Sequence, residues 1–297
     1  MDGIINILKP PHMTSHDVVS YMRKILKQKK VGHTGTLDPM AAGVLPICIG
    51  NATKISQFLL DDTKKYRCEM LLGTNTDTQD IWGKVIRTRD VSINESDIYD
   101  VFNSFKGENY QIPPMYSAVK IQGKKLYELA RQGIEVERNK RLINIYELDI
   151  LNIYNNKILF DVKSSKGTYV RTLCEDIGNK LNCGATMSFL LRTGSGRFSL
   201  ENSCTLEEIS AETLEGIERK YLFDLDYPLI DLPKVTVNED SIKYLLNGNN
   251  IYLKNLNQKE NLVVGEIVRI YAHDHMIALG EIKNEIEPYI DIHRVFN

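Results

Sequence analysis

The sequence predicts an α+β protein in two parts: a large unit over residues 1–231 that mixes strands and helices, and a small β-rich module over residues 232–297. Three observations lead there. Through the first two thirds of the chain, short apolar runs of strand length alternate with segments whose apolar residues recur at helical spacing. An acidic stretch from Glu201 to Asp231 then carries Pro228 and, just beyond it, Pro233 among short polar residues, a linker signal that sets the boundary near Leu232. After that, Val- and Ile-rich pieces (Val235–Val237, Leu262–Val264, Ile267–Tyr271, Ile277–Ile282) are separated by Gly and Asn, the pattern of a small β module. A length of 297 residues suits one large and one small domain.

Taken in order, Gly3–Leu8 reads as a buried strand that Pro10 and Pro11 end, since proline lacks an N–H and restricts the residue before it. Thr14 with Asp17 has capping-box spacing, and Val18, Met22 and Ile25 place an apolar face on the helix that follows. Its end is basic: Arg23, Lys24, Lys27, Lys29, Lys30. Val31–Pro39 is a loop with two glycines, a proline and more polar side chains than a turn needs. Tyr66–Leu72 has strand character, Thr74–Gly83 is polar and turn-like, and Val101–Phe105 lies on a helix. Gln111–Gly133 interleaves Tyr116, Lys120, Lys124, Lys125 and Arg131, a mixture that suits phosphates and bases but equally a solvated hairpin and helix. Lys157–Lys163 alternates as a strand, Lys166-Gly167 turns, and Val170, Leu173, Ile177 and Leu181 mark a helix with Arg171 near its start.

Composition narrows the function. The net charge of −2 hides a division: residues 1–200 hold 28 Lys+Arg against 21 Asp+Glu, and residues 201–297 hold 9 against 18. The first part can therefore face a polyanion, although charge alone establishes no RNA partner. Met1–His12 has no basic stretch followed by an apolar run, and the apolar stretches fall short of a membrane span, so a cytoplasmic protein without a membrane partner is expected. The five cysteines form no C-x-x-C pair and read as reduced packing residues. The sequence has no phosphate loop, G-x-G-x-x-G, H-E-x-x-H or Cys/His metal spacing, which leaves carboxylate, tyrosine and arginine chemistry.

Asp38 precedes Pro39, so its backbone is expected to be extended; an Asp in that position is by itself more often a turn or cap residue. The surrounding run Gly32-His33-Thr34-Gly35-Thr36-Leu37-Asp38-Pro39-Met40-Ala41-Ala42-Gly43-Val44-Leu45 resembles the catalytic motif of TruB-type pseudouridine synthases. The likeness continues, in the family's order, through Lys9-Pro10 with Thr14-Ser15, Lys65-Tyr66-Arg67, Thr76–Asp80, Pro113–Lys120 and Lys166–Leu173. It implies a mixed-sheet catalytic domain followed by a small β-barrel of PUA type, with an RNA-gripping insertion at about 111–138. It also implies a monomeric enzyme that needs no cofactor or obligate protein partner and converts uridine 55 in the T loop of tRNA to pseudouridine. By the same resemblance Asp38 is the essential carboxylate, Tyr66 stacks on the target base and Arg171 is the ionic partner of Asp38. Tyr169 and Leu190 line the pocket, His33 stacks within the RNA, Lys9 supports the site, Asp80 joins the network around Arg171, and Lys120 contacts substrate.

Physical chemistry supports these roles separately. A uridine in a folded loop has to be unstacked before its glycosidic bond can be reached, which calls for an aromatic platform, and an arginine partner favours the ionised form of a carboxylate in a cleft. One departure stands out: His12 occupies the position where the family's first motif carries glycine, so if that position takes a positive φ, a β-carbon must be accommodated there. Two other readings share the motifs: an RNA-guided synthase related to dyskerin, and a non-catalytic tRNA-binding or refolding protein.

Overall fold

Strand β1 (Gly3–Lys9) is buried along nearly all its length, as an Ile- and Leu-rich run without alternation requires. The computed structural model describes residues 1–59, 63–258, 262–284 and 287–296. Helix α1 (Ser15–Leu26) opens on a full capping box, in which the Thr14 hydroxyl accepts the Asp17 N–H and the Asp17 carboxylate accepts the Thr14 N–H. Its buried face is Val18, Val19, Met22 and Leu26, with Ile25 only partly covered. The chain continues through β2 (Val31–His33), β3 (Ala42–Ile49), α2 (Ser56–Leu59), β4 (Lys64–Leu72), the ribbon β5 (Thr74–Thr76) and β6 (Val85–Thr88), α3 (Glu95–Ser104) and β7 (Gly107–Gln111). The hairpin β8 (Lys120–Ile121) and β9 (Lys124–Lys125) leads into α4 (Leu126–Ala130), followed by β10 (Arg141–Tyr154), β11 (Lys157–Ser164), α5 (Val170–Lys180) and β12 (Ala185–Ser195). After β13 (Phe198–Ser199), α6 (Leu206–Ser210) and α7 (Leu214–Tyr221), β14 (Leu222–Phe223) closes this part.

The long strands form one sheet in the order β14-β1-β3-β12-β4-β11-β10-β7, with β2 beside β3 and β13 beside β12. The β3–β12 pair is parallel and brings Gly43 opposite Arg192, whereas β12–β4 and β4–β11 are antiparallel. One core packs α3 and α5 on the sheet through Cys68, Met70, Phe102, Phe160, Leu173 and Ile177, with Phe102 and Phe160 edge to face at 5.3 Å. A second packs α1 against Ile5, Ile7, Leu45 and Ile47. All five cysteines are free and buried, and the Cys68 and Cys174 sulfurs lie 3.6 Å apart within the first core.

The remaining strands, β15 (Lys234–Val237), β16 (Ile251–Tyr252), β17 (Leu256–Gln258), β18 (Ile267–Ala272), β19 (His275–Asn284) and β20 (Pro288–Val295), form a second six-stranded sheet curled into a nearly closed barrel. Leu279 and Phe296 from this part share a buried cluster with Ile4, Val44, Cys48, Phe198 and Leu229. Arg269 reaches back to the carbonyls of Ile230 and Leu232.

Three readings of the sequence need correction, the first being that Val31–Pro39 is not all loop, because Val31–His33 forms β2 and pairs with β3. Thr74–Gly83 is not all turn, because Thr74, Asn75 and Thr76 pair with β6, and burial of the polar Asn75 and Thr76 concealed the strand. Leu262–Val264 is no strand; it leads into a turn at Gly265, whose φ is 89°. Helix α8 (Glu239–Leu246), capped by Asn238 accepting the Ser241 N–H, lies within the β-rich module. Among the described residues no helix is long and apolar enough to cross a membrane.

Candidate active site

The loop carrying Asp38 is held from three sides. Ser15, the first residue of α1, accepts the Leu37 N–H at 2.8 Å and donates to the Leu37 carbonyl at 3.2 Å. Lys9, fully buried at the end of β1, donates to the carbonyls of Pro10 (2.8 Å), Met13 (2.7 Å) and Pro39 (3.1 Å), the last belonging to the residue after Asp38. Burial pushes the Lys9 ammonium down to about 8, with Asp38 pulling the other way. Downstream, Gly43 sits at φ 121°, and a β-carbon there would lie 2.2 Å from the Arg192 carbonyl, so the close parallel approach of β12 demands glycine. His12 does adopt a positive φ, 66°, in the turn after Lys9, and the Lys9 bonds form around it.

Arg171 projects from the first turn of α5. Its Nε lies 2.9 Å from Oδ2 of Asp38, and Nη2 donates to Oδ1 at 3.3 Å, a two-pronged pair. The same guanidinium donates to the carbonyls of Thr78 (3.1 Å) and Tyr116 (2.9 Å), and Asp80 lies 3.7 Å away. The Arg171 side chain is only 6% exposed, whereas that of Asp38 is 38% exposed. The cation thus stands behind the carboxylate, whose open side faces solvent. Burial pushes the Asp80 carboxyl up, against the Thr78 hydroxyl and Arg171, which favour its anion.

Tyr66 on β4 pairs with Arg192 on β12 and Val162 on β11, half-buried beside the core under α5. Burial raises its phenol and the nearby Arg192 opposes that shift. Leu190, opposite Cys68, lies in the same side-chain row and is 6% exposed. Tyr169 caps α5, its N–H donating to the Gln111 amide oxygen at 2.8 Å and its carbonyl accepting the Gln111 amide at 3.0 Å. His33 ends β2, where its Nδ1 accepts the Gly35 N–H at 3.2 Å. Burial and Arg192 lower its pKa, which favours the neutral ring. Lys120 is exposed on the β8–β9 hairpin, and among the described residues no bond ties it to Asp38 or Arg171.

Several residues of the site escaped the sequence reading. Arg192 is 2% exposed; Nε donates to the Val44 carbonyl at 2.6 Å and Nη2 to that of Gly35 at 3.3 Å, so this buried cation clasps both ends of the Asp38 loop beside Tyr66. An arginine inside the apolar run Phe189-Leu190-Leu191-Arg192 was the available signal. Gln79, at φ 64°, accepts the Thr172 hydroxyl at 2.8 Å and donates to Glu175, fastening the Thr78 turn to the helix that carries Arg171. A groove of about 570 Å³ between Ile112 and residues 135–140 lies at the foot of the 111–138 segment, and neither Asp38 nor Arg171 lines it.

The family described as TruB family pseudouridylate synthase (N terminal domain) matches residues 23–170, and that described as tRNA pseudouridylate synthase B C-terminal domain matches residues 171–229. The chain is 54% identical to the tRNA pseudouridine synthase B of Alkaliphilus oremlandii, with 99% of this chain and 98% of that protein covered. It is 48% identical to the protein of the same name from Clostridioides difficile, with 95% of each covered. Among solved structures it resembles a chain of a Cbf5-Nop10-Gar1 complex, at a TM-score of 0.79 and 30% identity, covering 99% of this chain and 85% of that one.

Proposed function

The chain belongs to the TruB family of pseudouridylate synthases, and on that premise we propose that it isomerises uridine 55 in the T loop of tRNA to pseudouridine with Asp38 as the essential carboxylate. The observation that carries the reading is the contrast in exposure within the Arg171–Asp38 pair: a buried guanidinium orients a carboxylate whose other side is open to a ligand. In this reaction the bond between C1′ and N1 breaks, uracil turns, and C5 bonds to C1′. The proton on C5 is lost and N1 regains one, so no redox equivalent is consumed. Attack of Asp38 on C1′, its attack on the base, and its removal of the C2′ proton all start from an ionised Asp38 directed by Arg171.

The remaining roles follow from position. A uridine drawn out of its loop exchanges base stacking for the Tyr66 ring, beside which Leu190 and Tyr169 form walls, while His33 at the loop entrance stacks in the space the uridine leaves. Lys9 acts as a positioning residue through the Pro39 carbonyl and Asp80 through Arg171. Lys120, exposed on the β8–β9 hairpin, serves the RNA backbone from the 111–138 insertion. We divide the chain at Leu232 into a catalytic domain and a PUA-like RNA-binding domain directed at the acceptor end of tRNA. The division is supported by the second sheet, which starts at Lys234. Residues 232–297 hold 7 basic against 9 acidic residues, so this domain adds contact more than electrostatic attraction. The protein is proposed to act as a cytoplasmic monomer without obligate partners. Relatives named tRNA pseudouridine synthase B at 54% and 48% identity support a stand-alone enzyme over a guide-dependent one, since the Cbf5 likeness stands at 30%.

The test is to incubate the purified protein and its Asp38→Ala variant with unmodified tRNA, adding no guide RNA, and to map pseudouridine by position. Conversion of the T-loop uridine by the native protein alone is expected. Failure of both proteins refutes the stand-alone reading, and conversion by both refutes the role of Asp38.

A further inference from the structure

The chain's single tryptophan, Trp82, is 45% exposed on the turn between β5 and β6, beside Ile81 (44%), Val85 (54%) and Ile86 (63%). One exposed apolar side chain needs no explanation, but four within six residues mark a contact surface. This ribbon is bonded directly into the active site. The Trp82 N–H donates to Oδ1 of Asp80 at 3.2 Å, Oδ2 of Asp80 lies 3.7 Å from Arg171, and Arg171 holds Asp38. Next to it, the Ile81 N–H donates at 2.9 Å to the carbonyl of Met187 on β12, the strand that carries Leu190 and Arg192.

The charges on the ribbon indicate its occupant. Lys84 is exposed between Trp82 and Val85, Arg87 is exposed directly after Ile86, and Arg89 follows half-buried. The nearby acids are Asp77, Asp80 and Asp90; the Asp77 carboxylate accepts the Lys84 N–H, and the Asp80 carboxylate accepts the Thr78 hydroxyl and the Trp82 N–H. Cations interleaved with an indole and aliphatic side chains match a polyanion whose bases present flat π-faces. We propose that the ribbon is a contact surface for the substrate RNA, where Trp82 stacks an unpaired base beside the extruded uridine and Lys84 and Arg87 follow the adjoining phosphates. This rests on the reading of the Asp38 cleft as an RNA-modifying site. Extruding one nucleotide strips stacking from its neighbours, and the indole restores part of it outside the catalytic pocket.

Because the protein has one tryptophan, its intrinsic emission reports this residue alone. Titration of the full-length Asp38→Asn protein with unmodified tRNA is expected to quench that emission saturably, in step with binding measured by filter retention. In the otherwise native chain, Trp82→Ala is expected to weaken tRNA binding about tenfold, whereas Trp82→Phe, which keeps an aromatic face, loses less than about threefold. Emission unmoved at saturating tRNA, or native affinity in Trp82→Ala, overturns the proposal while native conversion of tRNA leaves the function standing. A concentration-dependent blue shift without RNA, matched by dimerisation that Trp82→Ala abolishes, overturns it in favour of a second copy of the chain. Native protein that neither binds nor modifies tRNA overturns the underlying reading as well.

Discussion

Replacing Arg171 by lysine keeps a cation at the start of α5 but removes the planar fork. In the native site that fork meets both oxygens of Asp38, at 2.9 and 3.3 Å, and satisfies the Thr78 and Tyr116 carbonyls at 3.1 and 2.9 Å. One ammonium on a flexible stem cannot span the carboxylate and two carbonyls. Losing one of the two charge-assisted bonds to Asp38 costs about 1.5–3 kcal/mol in a buried setting. The Asp38 side chain is 38% exposed, and solvent screening reduces that to about 1–2 kcal/mol. If the transition state feels the placement of Asp38, kcat/KM falls roughly 5- to 30-fold. Single-turnover conversion of tRNA at saturating enzyme isolates this loss, with tRNA affinity measured separately. Affinity should stay native, because Arg171 lies behind Asp38, 6% exposed. An Arg171→Lys variant with the native rate, or one whose entire loss appears as weaker binding, refutes the assignment of Arg171 as the group that orients Asp38.

Three other outcomes are expected. Gly43→Ala drives a β-carbon to 2.2 Å from the Arg192 carbonyl at a φ of 121°, and should destabilise the protein by about 3 kcal/mol or more in urea unfolding; a native midpoint would show that β3 and β12 do not approach this closely. Lys9, lowered to about 8 from 10.5, releases its proton first in the folded state, so across that window the unfolded chain holds more protons and Lys9 makes stability rise with pH. Activity should fall over the same window, because a neutral amine offers two N–H groups to three carbonyls; melting temperatures and single-turnover rates against pH, compared with Lys9→Met, check both signs. Binding of tRNA should weaken steeply with salt, each phosphate contact contributing about 0.7–0.9 to the slope of log K on log salt, and an affinity independent of ionic strength contradicts phosphate-driven binding.

The parts of the site legible in the sequence were those whose signal is local. The capping box of Thr14 and Asp17 lies within one helical turn, and the run from Gly32 to Leu45 keeps His33, Asp38 and Gly43 on one continuous segment. Arg192 was missed because its meaning is non-local: its acceptors at Gly35 and Val44 lie about 150 residues away in the chain. Gln79 was missed because a polar residue in a polar turn carries no periodicity. Thr74–Thr76 has no strand signal in the sequence because Asn75 and Thr76 are polar although buried.

From its sequence alone the protein was committed to a large unit of strands and helices followed by a small β-rich module, to buried reduced cysteines, and to an Asp-Pro loop next to a basic helix end, because propensity, capping and proline geometry act over a few residues. Only the tertiary structure decided which side of Asp38 is open. That depends on α5 bringing Arg171 behind the carboxylate from 133 positions away, and on β12 entering the sheet parallel to β3 so closely that Gly43 has no room for a side chain. Such contacts arise from chain packing at long sequence separation, where no local pattern of residues carries them.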